Sequence, residues 1–166
     1  MRRVRGWPLA LGAVAMLACD VDAAGDPQAE ILATLTRSAA DWNHGDLDGF
    51  MSDYLQDSTL SFVSGRGVLY GWQALHDRYQ RAFFAPGTTR DSLTFTDLRV
   101  RALDDDLAFA TARFQLARGD SVTASGPFTL ILRKQDGRWR IVHDHTSSDP
   151  EIPTPSRSDA SRRDVK

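Results

Sequence analysis

The run His143-Asp144-His145-Thr146 holds the residues of this chain best equipped for chemistry. On a β-strand, successive side chains point to opposite faces, so His143 and His145 share one face and Asp144 and Thr146 the other. Histidines two apart suit a metal, but a metal needs at least a third ligand. His44 stands in an Asn43-His44-Gly45 helix stop and His76 on the outer side of a predicted helix, and neither need converge on the pair. The reading is therefore no metal and no other cofactor, with both histidines as hydrogen-bonded structural groups. Asp144 can act as a proton acceptor only if no cation holds it, because a paired carboxylate is a weak base. Arg113 is a candidate partner: it interrupts an apolar strand, on the side of Phe109 and Thr111, where a charge needs water or a counter-ion. Such a pair would either anchor an anionic or carbonyl group of a ligand or close a cavity as an internal ion pair. No nucleophile-base-orienter set and no phosphate-binding glycine loop accompanies these residues.

The elements that must position them are legible from periodicity. Asp26-Pro27 reads as an N-cap followed by proline at the first helical position, where a missing N–H costs nothing. Ile31, Leu35, Ala39 and Trp42 then follow helical spacing up to the stop at Asn43-His44-Gly45. Asp46 caps a second helix, in which Leu47, Phe50, Met51, Tyr54 and Leu55 form a full amphipathic stripe. Short strands around Leu60-Phe62 and Val68-Tyr70 flank a Gly65-Arg66-Gly67 turn. A third helix from Gly71 carries Trp72, Leu75, Tyr79, Ala82 and Phe83 and ends at Pro86-Gly87. Beyond it the period becomes two, with a parity slip near Thr96-Asp97 that a one-residue bulge explains. Four long antiparallel strands follow, the last two joined at Asp136-Gly137, a pair that readily takes the positive φ angles of a hairpin turn. A two-residue loop there pairs Leu130 with His143, and a three-residue bulged loop pairs it with Asp144. Spacing allows both.

Composition narrows the function classes. The 166 residues suit one domain with a full core. Of the 20 Lys and Arg, Arg2, Arg3 and Arg5 fall in a leader, leaving 17 against 22 Asp and Glu, a net of −5. A mildly acidic domain without a basic stripe argues against nucleic-acid binding. Residues 1–18 have the basic start and apolar run of an export signal, too short to span a bilayer. The single cysteine, Cys19, stands at its end after Met16-Leu17-Ala18, which resembles a bacterial lipobox with Met where Leu is more usual. The expectation is a lipid-anchored, exported protein, with cleavage near Ala23 and loss of Cys19 as the alternative. Residues 19–26 form a tether, and residues 149–166, rich in Pro, Ser, Arg and Asp, a disordered tail.

Three stretches resemble a known family: Asp41-Trp42-Asn43-His44-Gly45-Asp46-Leu47-Asp48-Gly49-Phe50, the glycine-led helix at Gly71, and the ending from Asp136 to Ser147. They are similar to the SnoaL-like branch of the nuclear transport factor 2-like superfamily, over about residues 27–148. The calcium/calmodulin-dependent kinase II association domain has a similar ending. The resemblance implies an α+β cone: a curved antiparallel sheet wraps around three N-terminal helices, encloses a pocket, and often dimerises through its outer face. It also implies a pocket residue at Thr146, which favours the bulged loop and puts Asp144 and Thr146 in the pocket with Phe128 and Leu130. Ketosteroid isomerases of this superfamily carry a general-base aspartate on the first short strand. The matching position here is Phe62, which argues against that isomerase chemistry.

Trp42, Tyr54, Phe62, Tyr79 and Phe83 occur where helices and first strand should face the sheet, and the hydroxyls of Tyr54 and Tyr79 could reach a cavity. The expected binding pocket comprises Trp42, Tyr54, Phe62, Tyr79, Arg113, Phe128, Asp144 and Thr146. It would take a small, largely apolar molecule, with Arg113 and Asp144 as its polar anchor. The alternatives are a lyase or isomerase with Asp144 or a histidine as proton shuttle, and a homo-oligomeric assembly module with a vestigial pocket. Fold alone does not choose among them.

Overall fold

The computed structural model describes residues 25–150. The export leader, Cys19 and most of the expected tail lie outside the described residues. Helix α1 (Pro27–His44) starts as the sequence dictates: the Asp26 carboxylate accepts from the Gln28 N–H at 3.0 Å, with Pro27 in the first turn. It ends at Gly45, whose φ of 86° is a left-handed conformation that costs glycine little. The buried face is Ile31, Thr34, Leu35, Ser38 and Trp42. Two hydroxyl residues thus occupy inner positions, while Ala39 sits at the margin.

Helix α2 (Leu47–Met51) is much shorter than its apolar stripe predicts. The Asp46 cap forms, accepting from Gly49 N–H at 2.8 Å, but the helix stops at Ser52. The chain then runs parallel to the last strand, with Leu55 N–H donating to Ile141 O at 2.9 Å and Ile141 N–H donating to Asp53 O at 2.8 Å. Sheet pairing wins over helix continuation, yet Tyr54 remains buried.

Strands β1 (Ser61–Ser64) and β2 (Gly67–Tyr70) form a hairpin, α3 (Trp72–Phe83) follows, and then β3 (Ser92–Asp104), β4 (Leu107–Arg118), β5 (Ser121–Gln135) and β6 (Arg138–Thr146). They make one six-stranded sheet in the order β2-β1-β6-β5-β4-β3, an open, curved cone wall with the helices on its inner side. All pairs are antiparallel except β1 with β6, which is parallel. On α3 only Leu75 is fully buried, and Ala82, expected on the buried face, is exposed.

Bulges bend the sheet. One lies in β3 between Thr96 and Arg99, where Asp97 has a φ of 57°, at the predicted parity slip. The bulge that sets the β6 register is not where the sequence reading puts it. Asp136-Gly137 is a tight two-residue turn with φ of 50° and 72°, flanked by the pair Gln135 and Arg138. Val142 is the extra residue, between the pairs Leu132–Ile141 and Ile131–His143. The result is still Leu130 opposite Asp144 and Phe128 opposite Thr146.

The β4 residues Ala108, Ala110 and Ala112 are buried and leave room for helix side chains above them. Trp42 is the hub of the aromatic packing, with ring centroids 5.2 Å from Phe50, 6.0 Å from Tyr79 and 5.0 Å from Phe83. Its Nε1–H donates to Asp91 O at 2.9 Å, so this large side chain is both packed and hydrogen-bonded. Among the described residues no helix is long and apolar enough to cross a membrane.

Candidate functional site

Between the helices and the inner sheet face lies a cavity of about 290 Å³. Helix α1 contributes Leu35, Ser38 and Trp42, and α3 contributes Arg78, Tyr79 and Phe83. Phe50 and Tyr54 come from α2 and the segment after it, Phe62 from β1, and Phe95, Phe114, Phe128 and Leu130 from the long strands. Exposed Gly65 and Ser148 border it, which puts its mouth between the β1–β2 turn and the chain leaving β6.

One carboxyl group stands in this largely apolar wall. Asp144 is 4% exposed; it accepts from the Tyr54 hydroxyl at 2.9 Å and from the Thr146 hydroxyl at 2.8 Å. Burial pushes its pKa up to about 6, against the lowering effects of the Thr146 and Tyr54 hydrogen bonds and of His145. The Tyr54 phenol is lifted well above its ordinary value, first by burial and then by the neighbouring Asp144 carboxylate. The same two causes raise Tyr79, partly offset by a Tyr54 hydrogen bond and the Arg78 charge. The hydroxyls therefore stay protonated as donors, while Asp144 changes charge near neutrality.

Seven of the expected pocket residues line the cavity: Trp42, Tyr54, Phe62, Tyr79, Phe128, Asp144 and Thr146. Arg113 does not. The expected Arg113–Asp144 pair is absent, because β4 turns its alanine face inward and Arg113 outward. There Arg113 pairs with Asp149, which also accepts from the Ser125 hydroxyl at 2.6 Å. Asp149 N–H donates to Ser125 O at 2.7 Å, so this residue, expected in the disordered tail, is held against β5. The close passage of that segment fixes a glycine: a Cβ on Gly126 would lie 1.9 Å from the Ser147 carbonyl oxygen.

The histidines lie on the other face of β6. The His143 Nδ1 is 2.7 Å from the Ser61 hydroxyl, and burial followed by the nearby His145 lowers its pKa. His145 is exposed. His76, expected on the outer side of α3, is only half exposed, stacked on Trp72 with ring centroids 5.0 Å apart and 3.1 Å from the Asp48 carboxylate. Among the described residues no three His, Cys, Asp or Glu side chains gather as a metal site.

Arg78, Ser38, Ser64 and Ser148 are polar wall residues that sequence reasoning missed. A signal for Arg78 existed: it stands three residues after Leu75 and four before Ala82, within the stripe read as apolar.

A family model for the SnoaL-like domain matches residues 31–151. The chain belongs to the SnoaL-like family. A solved NTF-2-like protein of unknown function from Shewanella oneidensis is 30% identical, with a TM-score of 0.67 over 74% of this chain and 99% of that one. Two more distant structures share the fold. A calcium/calmodulin-dependent kinase II association-domain candidate from Xanthomonas campestris is 20% identical, with a TM-score of 0.60 over 78% of this chain and 93% of that one. A ketosteroid isomerase-like protein from Erwinia carotovora is 21% identical, with a TM-score of 0.59 over 76% and 99%. No curated protein matches the chain in sequence. In this SnoaL-like domain Phe62 is buried and stands beside Asp144 on the ladder to β6.

Proposed function

We propose that this SnoaL-like domain binds a small, largely apolar molecule in the cone cavity, with one hydrogen-bonding group of that molecule meeting Asp144, Tyr54 and Thr146. The observation that supports this most is a single buried carboxyl, free of any ion pair among the described residues, in a wall built mostly of aromatic and aliphatic side chains. An apolar body gains by leaving water, and the buried polar cluster rewards a ligand that completes its hydrogen bonds. The test uses 4-phenylbutan-1-ol as a neutral probe, read by calorimetry and by the fluorescence of Trp42. Saturable binding is expected, lost in Ala124→Phe, which fills the cavity beside the probe. No binding to the unaltered protein would sink the reading.

Asp144 also favours a second reading, a lyase or isomerase in which it moves a proton. A buried carboxyl that titrates near pH 6 is a competent general base at neutral pH, and the arginine expected to disable it faces away. Deuterium uptake next to the carbonyl of 2-tetralone, followed by NMR, tests this. Loss of exchange in Asp144→Asn with probe binding retained supports catalysis, and no exchange with the unaltered protein rejects it for ketones of this kind.

The proposed setting is an exported, lipid-anchored protein, supported by the basic-apolar leader and the position of Cys19. Cys19→Ala would then release the protein from the membrane fraction. The outer sheet face, where Phe109 and Ile131 are only half-buried, is the proposed homodimer surface.

A further inference from the structure

Arg78 presents a chemical problem that the binding reading leaves open. Its guanidinium lies over the Phe62 ring, 5.2 Å from the centroid, in the wall of the cavity, and the residue is half-buried. It forms no ion pair with any described residue. Nearby carboxylates are committed elsewhere: Asp77 accepts from Gln73 at 2.9 Å and lies 3.8 Å from His76, and Asp144 is held by Tyr54 and Thr146. A cation partly removed from water without a counter-ion is costly, and stacking on an aromatic face recovers only part of that cost.

The ring contact leaves the N–H donors of Arg78 without a carboxylate partner among the described residues. A guanidinium presents a fork that matches a carboxylate in two parallel hydrogen bonds. Arg78, Tyr79 and Asp144 line the same cavity, and the charges of both Arg78 and Asp144 act on the Tyr79 phenol. The wall supplies no second cation to balance a doubly charged phosphate, since Arg78 is the sole Arg or Lys lining it among the described residues.

We infer that Arg78 is an anion anchor and that the cavity takes apolar monocarboxylates, with the carboxylate on Arg78 and the body against the aromatic wall. The inference rests on the cavity binding proposed above, adds the ligand class, and for an acid moves the polar contact from Asp144 to Arg78. An Arg–carboxylate pair in a half-buried, aromatic setting gives the acid about a tenfold or greater advantage over a neutral analogue of the same body.

The probes are 4-phenylbutanoate and 4-phenylbutan-1-ol, compared by calorimetry on the full domain at neutral pH and physiological ionic strength. The expected result is that the acid binds about tenfold more tightly than the alcohol. Arg78→Gln removes that preference, Arg78→Lys keeps part of it, and Arg81→Gln, an exposed position outside the cavity wall, leaves it intact. Equal or tighter binding of the alcohol to the unaltered protein overturns the anchor while leaving the cavity reading standing. Equal loss of both probes in Arg78→Gln also overturns the anchor, since the side chain would then serve only packing. If neither probe binds the unaltered protein, the cavity reading and the anchor fall together.

Discussion

Replacing Asp144 by Asn removes the cavity's titratable carboxyl while keeping its shape. The Asn carbonyl can still accept from Tyr54, and its amide can donate to the Thr146 hydroxyl. In the unfolded chain Asp144 ionises near 3.8, and in the native protein only near pH 6. The native state therefore holds the proton more tightly, and its advantage is complete below the unfolded value and lost as pH rises through about 6. A shift of roughly two pKa units corresponds to about 3 kcal/mol, with a steepest slope of about 1.4 kcal/mol per pH unit between the two pKa values. Urea unfolding of both proteins from pH 4 to pH 8 measures this. The stability of Asp144→Asn relative to the unaltered protein should rise by about 2.5 kcal/mol across that range, the rest of the change lying below pH 4. Glu30, Asp57 and Asp91 have lowered pKa values and contribute stability lost as pH falls, but they are common to both proteins and cancel in the difference. A difference that stays flat, or falls with rising pH, would refute the claim that Asp144 stands uncompensated in the cavity wall.

Three further outcomes follow from the same geometry. Tyr54→Phe should raise the Asp144 pKa further and cost roughly 1.5–3 kcal/mol when Asp144 is ionised, less when it is protonated, seen by carboxyl NMR titration and by unfolding at pH 8 and pH 4. Arg113→Ala should cost less than about 1 kcal/mol, because both members of its pair are part-exposed, and leave the affinity for 4-phenylbutan-1-ol unchanged; loss of binding would contradict its outward placement. Gly126→Ala should destabilise by roughly 1–3 kcal/mol in thermal unfolding, since the new methyl must push Ser147 and the Asp149 attachment away from β5.

Much of the site was legible because strand and helix periods are local. The alternation of β6 separated Asp144 and Thr146 from His143 and His145, and the apolar spacing after Asp46 marked Tyr54 for burial. Local patterns failed where two outcomes bury the same residues. The stripe from Leu47 to Leu55 fits a helix of nine residues, but Asp53 and Leu55 find their backbone partners on Ile141, and the helix ends after five. Asp136-Gly137 forms the tight two-residue turn that spacing allowed and not the bulged loop that was expected, while the extra residue that puts Asp144 opposite Leu130 is Val142, which has no turn chemistry to announce it.

By itself the sequence determined the α+β order, the caps at Asp26 and Asp46, the bend near Thr96-Asp97, and an inward set of aromatics. Only the tertiary structure decided the partners of the charges. Asp144 meets Tyr54 from 90 positions away, Arg113 meets Asp149 across 36, and Arg78 lies over Phe62. Periodicity sets which face a side chain takes because it follows from backbone geometry one residue at a time. Pairing across the cone depends on the register of β6, the parallel docking of β1 and the seat of α3, which are settled jointly when the core packs.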